Sequence, residues 1–315
     1  MTAFRIAILD DYQHVALSLA DWSPVQAQAE VVVFDRHLGE EEAAERLRDF
    51  DALCMMRERM AMPRRLIERL PRLKLICITG GKHRTLDEDA ARERGIALLT
   101  AAGSEAGASS TTELAWGLIL SALRQIPQQA QGMREGGWQT HCGSLLRGKT
   151  LGLVGLGKLG QQMVPVAQAF GMQVRAWSQN LTPEAAAGVG AQYASKQDLF
   201  ATSDVVSLHL VLGERSRGIV GRADLGRMQP HAWLVNTARA GLVDQEALYD
   251  ALVQQRIAGA ALDVFEVEPL PADDRFRRLD NVVLTPHLGY AAQEQMRAFH
   301  QNTVRKLVDY LAAAR

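Results

Sequence analysis

Cysteine is scarce in this chain: Cys54, Cys77 and Cys142 lie far apart and form neither a CxxC pair nor a Cys/His ligand set. That excludes a disulfide scaffold, gives no metal site, and suits a reducing compartment. Packing is the expected role of all three, since Cys54 and Cys77 sit in apolar runs that disfavour the thiolate. A net charge is missing as well: 35 basic residues face 36 acidic ones, for a formal charge of -1. With no global field of one sign, neither nucleic acid nor an anionic membrane is an expected partner, which leaves a small molecule. No apolar run approaches bilayer length. The start, Met1 to Asp10, lacks the basic region and long apolar core of a signal peptide, so a cytoplasmic protein is expected. Long repeats and low-complexity tracts are absent too.

What is present is ordinary globular composition, 47% hydrophobic and 23% charged, over 315 residues, a length that favours two domains. Short apolar runs alternate with amphipathic stretches from the beginning: Arg5 to Leu9, Val31 to Phe34, Ala52 to Met56 and Leu73 to Ile78, with helical spacing over Glu40 to Phe50 and Pro63 to Leu70. Such alternation reads as a parallel sheet with crossover helices. At Gly103 the texture changes to small residues, and a domain boundary is placed there. Ser110-Thr111-Thr112-Glu113 has the form of a capping box before a helix reaching about Gln125. From Thr150 the alternation resumes, with strand candidates at 151–154, 173–177, 205–208, 232–235, 259–262 and 282–284, a second and larger doubly wound unit. The last stretch, Ala291 to Ala314, is expected to be one long helix or two, packed back on the first domain.

Leu151-Gly152-Leu153-Val154 leads into Gly155-Leu156-Gly157-Lys158-Leu159-Gly160, and helical composition follows. Alone, a GxGxxG is weak; between a strand and a helix it lets glycine backbone approach a pyrophosphate at a helix N-terminus. The plain alternative is a glycine-rich turn that binds nothing. The carboxylate that usually closes the second strand and holds the ribose 2′-hydroxyl of NAD is absent here, where Val174-Arg175-Ala176-Trp177 runs into Ser178-Gln179-Asn180. The expected cofactor is therefore NADP or NAD, with a slight lean to NADP.

Ligands of an open parallel sheet bind beyond the carboxyl ends of its strands. Three such ends carry Asn236-Thr237-Ala238-Arg239, Asp263 to Pro269 with Glu268, and Thr285-Pro286-His287. A guanidinium fork holds a carboxylate and polarises the neighbouring carbonyl. A histidine gives a proton to the carbonyl oxygen, and a carboxylate beside it favours the cationic form. Anchor, acid and tuner together suit reduction of a 2-keto acid. Singly, each has a bland explanation, as a surface ion pair, a solvated loop charge and a turn residue after proline.

With these residues in view, the chain resembles the D-isomer-specific 2-hydroxyacid dehydrogenase family. The likeness rests on Gly155 to Gly160, Phe170-Gly171-Met172, Ser203 to His209, Asn236 to Gly241, Asp263 to Pro269 and Thr285-Pro286-His287. The resemblance implies that Arg239 binds substrate, Glu268 pairs with the catalytic base, His287 is the acid/base, Asp263 holds the nicotinamide carboxamide and His209 lies near the cofactor. It implies a split fold, a flavodoxin-like substrate domain made of residues 1–102 and 290–315 with a Rossmann cofactor domain, 103–289, inserted. It also implies a homodimer joined through the cofactor domain. The apolar helix from Thr111 to Gln125 suits that role, or simply covers its own core. Departures are Arg239-Ala240, where many members read Arg-Gly, and His209-Leu210-Val211, where many read His-x-Pro. Relatives bind the substrate carboxylate through backbone amides of the loop that here reads Thr79-Gly80-Gly81-Lys82-His83-Arg84-Thr85-Leu86-Asp87. It is unusually basic: Arg57, Gly81, Lys82 and His83 are expected to contact substrate, and Lys82, His83 or Arg84, with Arg57, to meet a second anionic group on it; solvated surface charge is the alternative. Two rival functions are a non-catalytic NAD(H)-sensing or scaffold protein on the same fold and a relative that oxidises formate or phosphite, with the same cofactor domain and a changed substrate loop.

Overall fold

Aliphatic runs without polar alternation make strands buried on both faces, and such strands need helices above and below. Both halves of this chain are built that way. The computed structural model describes residues 4–81 and 83–313, which cluster into two units, Met1–Ala108 with Ala292–Arg315, and Ser109–Ala291.

In the first unit β1 (Phe4–Ile8), α1 (Ser23–Gln26), β2 (Ala29–Val33), α2 (Glu40–Arg46), β3 (Ala52–Met55), α3 (Arg64–Ile67), β4 (Leu75–Thr79), α4 (Glu88–Glu93) and β5 (Ala97–Ala101) alternate. The strands pair in parallel in the order β2-β1-β3-β4-β5, the flavodoxin-like arrangement. Period-two alternation sends Ile6, Ile8, Cys54 and Cys77 to one face and Ala7, Leu9, Leu53 and Ile76 to the other. One continuous terminal helix, Gln293–Ala313, lays Val304, Leu307 and Leu311 on the first of these faces. Cys54 and Cys77 are register partners in β3 and β4; burial pushes the Cys77 thiol up to about 12 and Cys54 well up, so both stay protonated core residues. Strand β5 was not expected, because Ala97-Leu98-Leu99-Thr100-Ala101 is a half-exposed edge without a β-branched run.

The second unit runs α5 (Ser110–Arg124), α6 (Ile126–Arg134), β6 (Thr150–Val154), α7 (Lys158–Ala169), β7 (Gln173–Trp177), α8 (Pro183–Ala187), β8 (Gln192–Tyr193), α9 (Lys196–Thr202), β9 (Val205–Leu208), α10 (Arg222–Leu225), β10 (Trp233–Asn236), α11 (Gln245–Val253), β11 (Gly259–Leu262) and β12 (Val282–Leu284). Its parallel sheet has the order β12-β11-β10-β9-β6-β7-β8. The chain winds outward from β6 to β8, then returns to start β9 on the other side of β6. That reversal opens a crevice beyond the carboxyl ends of β6 and β9, where such sheets bind dinucleotides.

Helix α5 buries Ala115, Trp116, Leu118, Ile119, Ala122 and Leu123 against Leu151, Leu153, Val235 and Ala261, so it covers its own sheet. The capping box expected at its start does not form. The 3-10 turn Ala106–Ser109 runs straight into the helix, leaving no extended residue from which a side chain could fold back, and Ser109 makes no side-chain cap. Ser110 Oγ and Thr111 Oγ1 instead donate to the Gly289 carbonyl at 2.9 and 2.7 Å. Helix α6, by contrast, buries nothing.

Candidate active site

Between β6 and α7 the chain turns through Gly155, whose φ of +104° a side chain would resist. A Cβ on Gly160 would lie 2.2 Å from the Gly155 carbonyl oxygen, whereas one on Gly157 would meet nothing within 4 Å. The helix thus crosses the turn too closely for any side chain at 160, and the side beside Gly157 is open. Gly157 is the N-cap of the twelve-residue α7 and no side chain caps it, so the first amides, over exposed Lys158 and half-exposed Leu159, are available to an anion. From the other side of the crevice the His209 amide donates to the Val154 carbonyl at 2.8 Å, and the His209 backbone closes on Gly155. The His209 ring shares a 2.9 Å hydrogen bond with Ser207 Oγ, and burial holds its pKa down at about 4, so it is neutral at ordinary pH. Beyond β10 lies Thr237, buried, with an Oγ1 that finds no partner. Ser178, half-buried, follows β7. An open helix terminus, a neutral histidine and an orphaned buried hydroxyl fit a nicotinamide dinucleotide.

Strands β10, β11 and β12 are neighbours, so Arg239, Glu268 and His287 follow three consecutive carboxyl ends. Asn236 shapes the first of these loops: its Oδ1 accepts from the Ala238 amide and its Nδ2 donates to the Arg239 carbonyl, both at 3.0 Å. Arg239 is half-buried and extended, with Nη1 on the Ala238 carbonyl at 2.7 Å. Glu268 and His287 meet directly, Oε2 to Nδ1 at 2.5 Å, while Glu268 Oε1 accepts the Phe265 amide at 2.8 Å. His287 holds φ +53°, the left-handed region, and its ring packs edge-on to Tyr290 at 5.5 Å. Asp263 braces this loop. Fully buried, it accepts Thr285 Oγ1 at 2.6 Å and the Leu288 amide at 2.7 Å on one oxygen and the Gly289 amide at 2.9 Å on the other. Burial raises the Asp263 pKa against those bonds. The strap from Ser110 and Thr111 to Gly289 fixes the far end of the same loop.

In the first unit Arg57 takes φ +51°, donates its amide to Thr79 Oγ1 at 2.9 Å, and lays its guanidinium over Gly80, where a Cβ would come within 2.6 Å of Nη1. A Cβ on Gly81 would meet nothing within 4 Å. His83 is 4% exposed, its Nε2 has no hydrogen-bond partner among the described residues, and burial lowers its pKa, which favours a neutral ring over a cation. Lys82 lies outside the described residues. Among the described residues no group of three or more His, Cys, Asp and Glu could hold a metal ion, and no helix is long and apolar enough to cross a membrane.

Residues 116–289 match the family model described as D-isomer specific 2-hydroxyacid dehydrogenase, NAD binding domain. A hydroxypyruvate reductase of Thermotoga maritima is 36% identical over 312 residues, 98% of this chain and 98% of that one. The chain belongs to the D-isomer specific 2-hydroxyacid dehydrogenase family. A D-3-phosphoglycerate dehydrogenase of Methanocaldococcus jannaschii is 39% identical over 264 residues, 83% of this chain and 50% of that longer protein. The crystal structure of a phosphoglycerate oxidoreductase from Vibrio cholerae superposes with a TM-score of 0.92 at 36% identity, over 99% of this chain and 100% of that one. As a member of this family the chain is an oxidoreductase of small 2-hydroxy or 2-keto acids that uses a nicotinamide cofactor.

The family pattern named Glu268, His287 and Asp263, and the structure adds what surrounds them. The Asp263 bonds to the Leu288 and Gly289 amides had no sequence signal, because backbone donors carry none. Ser110 and Thr111 did carry a signal, but of a local cap rather than a strap reaching across the unit.

Proposed function

We propose that Arg239, Glu268 and His287 reduce a small 2-keto acid to the D-2-hydroxy acid, and run the reverse oxidation. The Arg239 guanidinium takes the substrate carboxylate in two-point contact and draws density from the C2 carbonyl. A bound nicotinamide would supply the hydride to C2. Glu268 Oε2 accepts a hydrogen bond from Nδ1–H of His287, which leaves Nε2 as the nitrogen that gives its proton to the C2 oxygen. In the oxidising direction the same Nε2 takes the hydroxyl proton. Gly155, Gly157, Lys158, Leu159 and Gly160 would hold the pyrophosphate of a bound dinucleotide, His209 and Thr237 would line it and Ser178 would face the adenosine ribose, while Asp263, fully buried with both oxygens already bonded, braces the loop. With no carboxylate at Ser178, NADP is admitted as well as NAD. Residues 1–102 and 290–315 are the substrate domain, residues 103–289 the cofactor domain, and Arg57, Gly81, Lys82 and His83 contact the substrate. The charge of that loop suits a substrate with a second anionic group.

The 2.5 Å contact between Glu268 and His287 carries this reading. His287→Ala should lower kcat by about two to four orders of magnitude with cofactor affinity nearly unchanged, measured by steady-state kinetics and direct binding. A variant of near-normal kcat would remove His287 from the chemistry. The protein is further read as a cytoplasmic homodimer, joined where α6 and the segment after it expose Ile126, Met133, Trp138 and Leu145. A single-chain mass by light scattering would contradict the dimer.

A further inference from the structure

The end of β7 is where the adenosine ribose of a dinucleotide arrives in a sheet of this order, and Ser178-Gln179-Asn180 brings no charge of either sign to it. Resting on the cofactor reading above, we propose that Arg215, delivered by the loop after β9, binds the 2′-phosphate and makes NADP(H) the preferred cofactor.

The contact that places Arg215 there is Gln179 Nε2 donating to the Arg215 carbonyl at 3.2 Å. The loop is fixed rather than draped. Arg215 is the middle residue of the 3-10 turn Glu214–Ser216. Ser216 Oγ donates to the Val211 carbonyl at 2.7 Å and accepts the Gly213 amide at 2.8 Å, and the Arg217 amide returns to the Gly213 carbonyl at 2.9 Å. The backbone of Arg215 is therefore held beside the residue that follows Ser178, within the reach of a guanidinium. Its side chain is exposed and enters no hydrogen bond or ion pair among the described residues. Another cation near this strand end, Lys196, is committed elsewhere: its Nζ lies 5.6 Å from the Trp177 ring but is bound to Asp224 Oδ2 at 2.8 Å and to the Ile219 carbonyl, while Arg217 Nη1 turns towards Gly241. Of the carboxylates nearby in sequence, Glu184 is held by its own backbone and by Thr182 at the start of α8. Glu214 is outnumbered in its turn by Arg215 and Arg217. A planar fork of donors matches a phosphate in two-point contact, with the Ser178 hydroxyl as a neutral donor beside it. The sequence alone hid this, because Arg215 lies far beyond the second strand, where the partner of the ribose is ordinarily sought.

Isothermal titration of NADPH, NADH, adenosine 2′,5′-bisphosphate and AMP into the wild type, Arg215→Gln and Arg215→Lys tests the assignment without turnover. The wild type should bind NADPH more tightly than NADH by about tenfold or more, and Arg215→Gln should weaken NADPH and the bisphosphate by roughly 10- to 100-fold. NADH and AMP should stay within about twofold, and Arg215→Lys should fall between the other two forms. Equal weakening of NADPH and NADH would overturn the proposal, since it would mean that the guanidinium stacks on the adenine. A wild type that favours NADH would overturn it too. If neither dinucleotide binds the wild type, the cofactor reading itself fails and this one with it.

Discussion

His209 closes on the β6–α7 turn yet is held neutral, because burial disfavours its protonated form. Its folded pKa of about 4 lies below the ordinary 6.5, so between those values the unfolded chain binds a proton that the folded chain does not. Stability from this residue is complete above about pH 6.5 and is lost as the pH falls towards 4, by at most about 3 kcal/mol. His209→Gln should therefore flatten the drop in Tm between about pH 7 and pH 5, leaving the part that buried His83 and His300, both also lowered, contribute. Parallel Tm profiles of variant and wild type would show that His209 is not held neutral. At this scale the sequence was most informative where chemistry is carried by side-chain type and least where backbone takes part. Glu268 and His287 were legible as polar residues after strands. The left-handed turn at His287 that swings Nδ1 onto Glu268, and the Asp263 bonds that hold that turn, depend on main-chain geometry.

Among elements, the β6–α7 crossing has the strictest requirement. Gly160 is needed because the helix backbone nearly touches the Gly155 carbonyl; Gly157 is needed because a ligand must come close, and its own surroundings are empty. Two alanine variants separate these demands. Gly160→Ala should cost about 1–3 kcal/mol of stability and weaken the cofactor, as α7 or the turn gives way. Gly157→Ala should leave Tm nearly unchanged and raise the cofactor Kd by roughly tenfold or more. Equal Tm for the two variants would mean that the close crossing is not rigid. Strand positions with buried aliphatic runs, such as 205–208 and 259–262, were legible, whereas β8, only Gln192–Tyr193 and exposed, was not. Helix α6 was missed because Gln125 in the left-handed region breaks it from α5, and its own residues include Pro127 and Gly132 and bury no apolar face.

For the whole molecule, alternation of strand and helix fixed the class, two doubly wound parallel sheets, while the order of strands within each came only with the structure. That order matters for function: it sets the reversal between β6 and β9 above the glycine turn, and it aligns the loops of Arg239, Glu268 and His287 on three neighbouring strands. The proposed function reduces to one event, passage of a hydride between the nicotinamide and C2 of a 2-keto acid, with His287 moving the proton. The most direct test is to supply reduced cofactor deuterated at the transferable position of the nicotinamide, together with a panel of 2-keto acids, and to analyse the product by mass spectrometry and chiral chromatography. The product should be a D-2-hydroxy acid carrying one deuterium at C2, with its formation abolished or nearly so in His287→Ala. Cofactor binding without product, or a 2-hydroxy acid free of deuterium at C2, would contradict it.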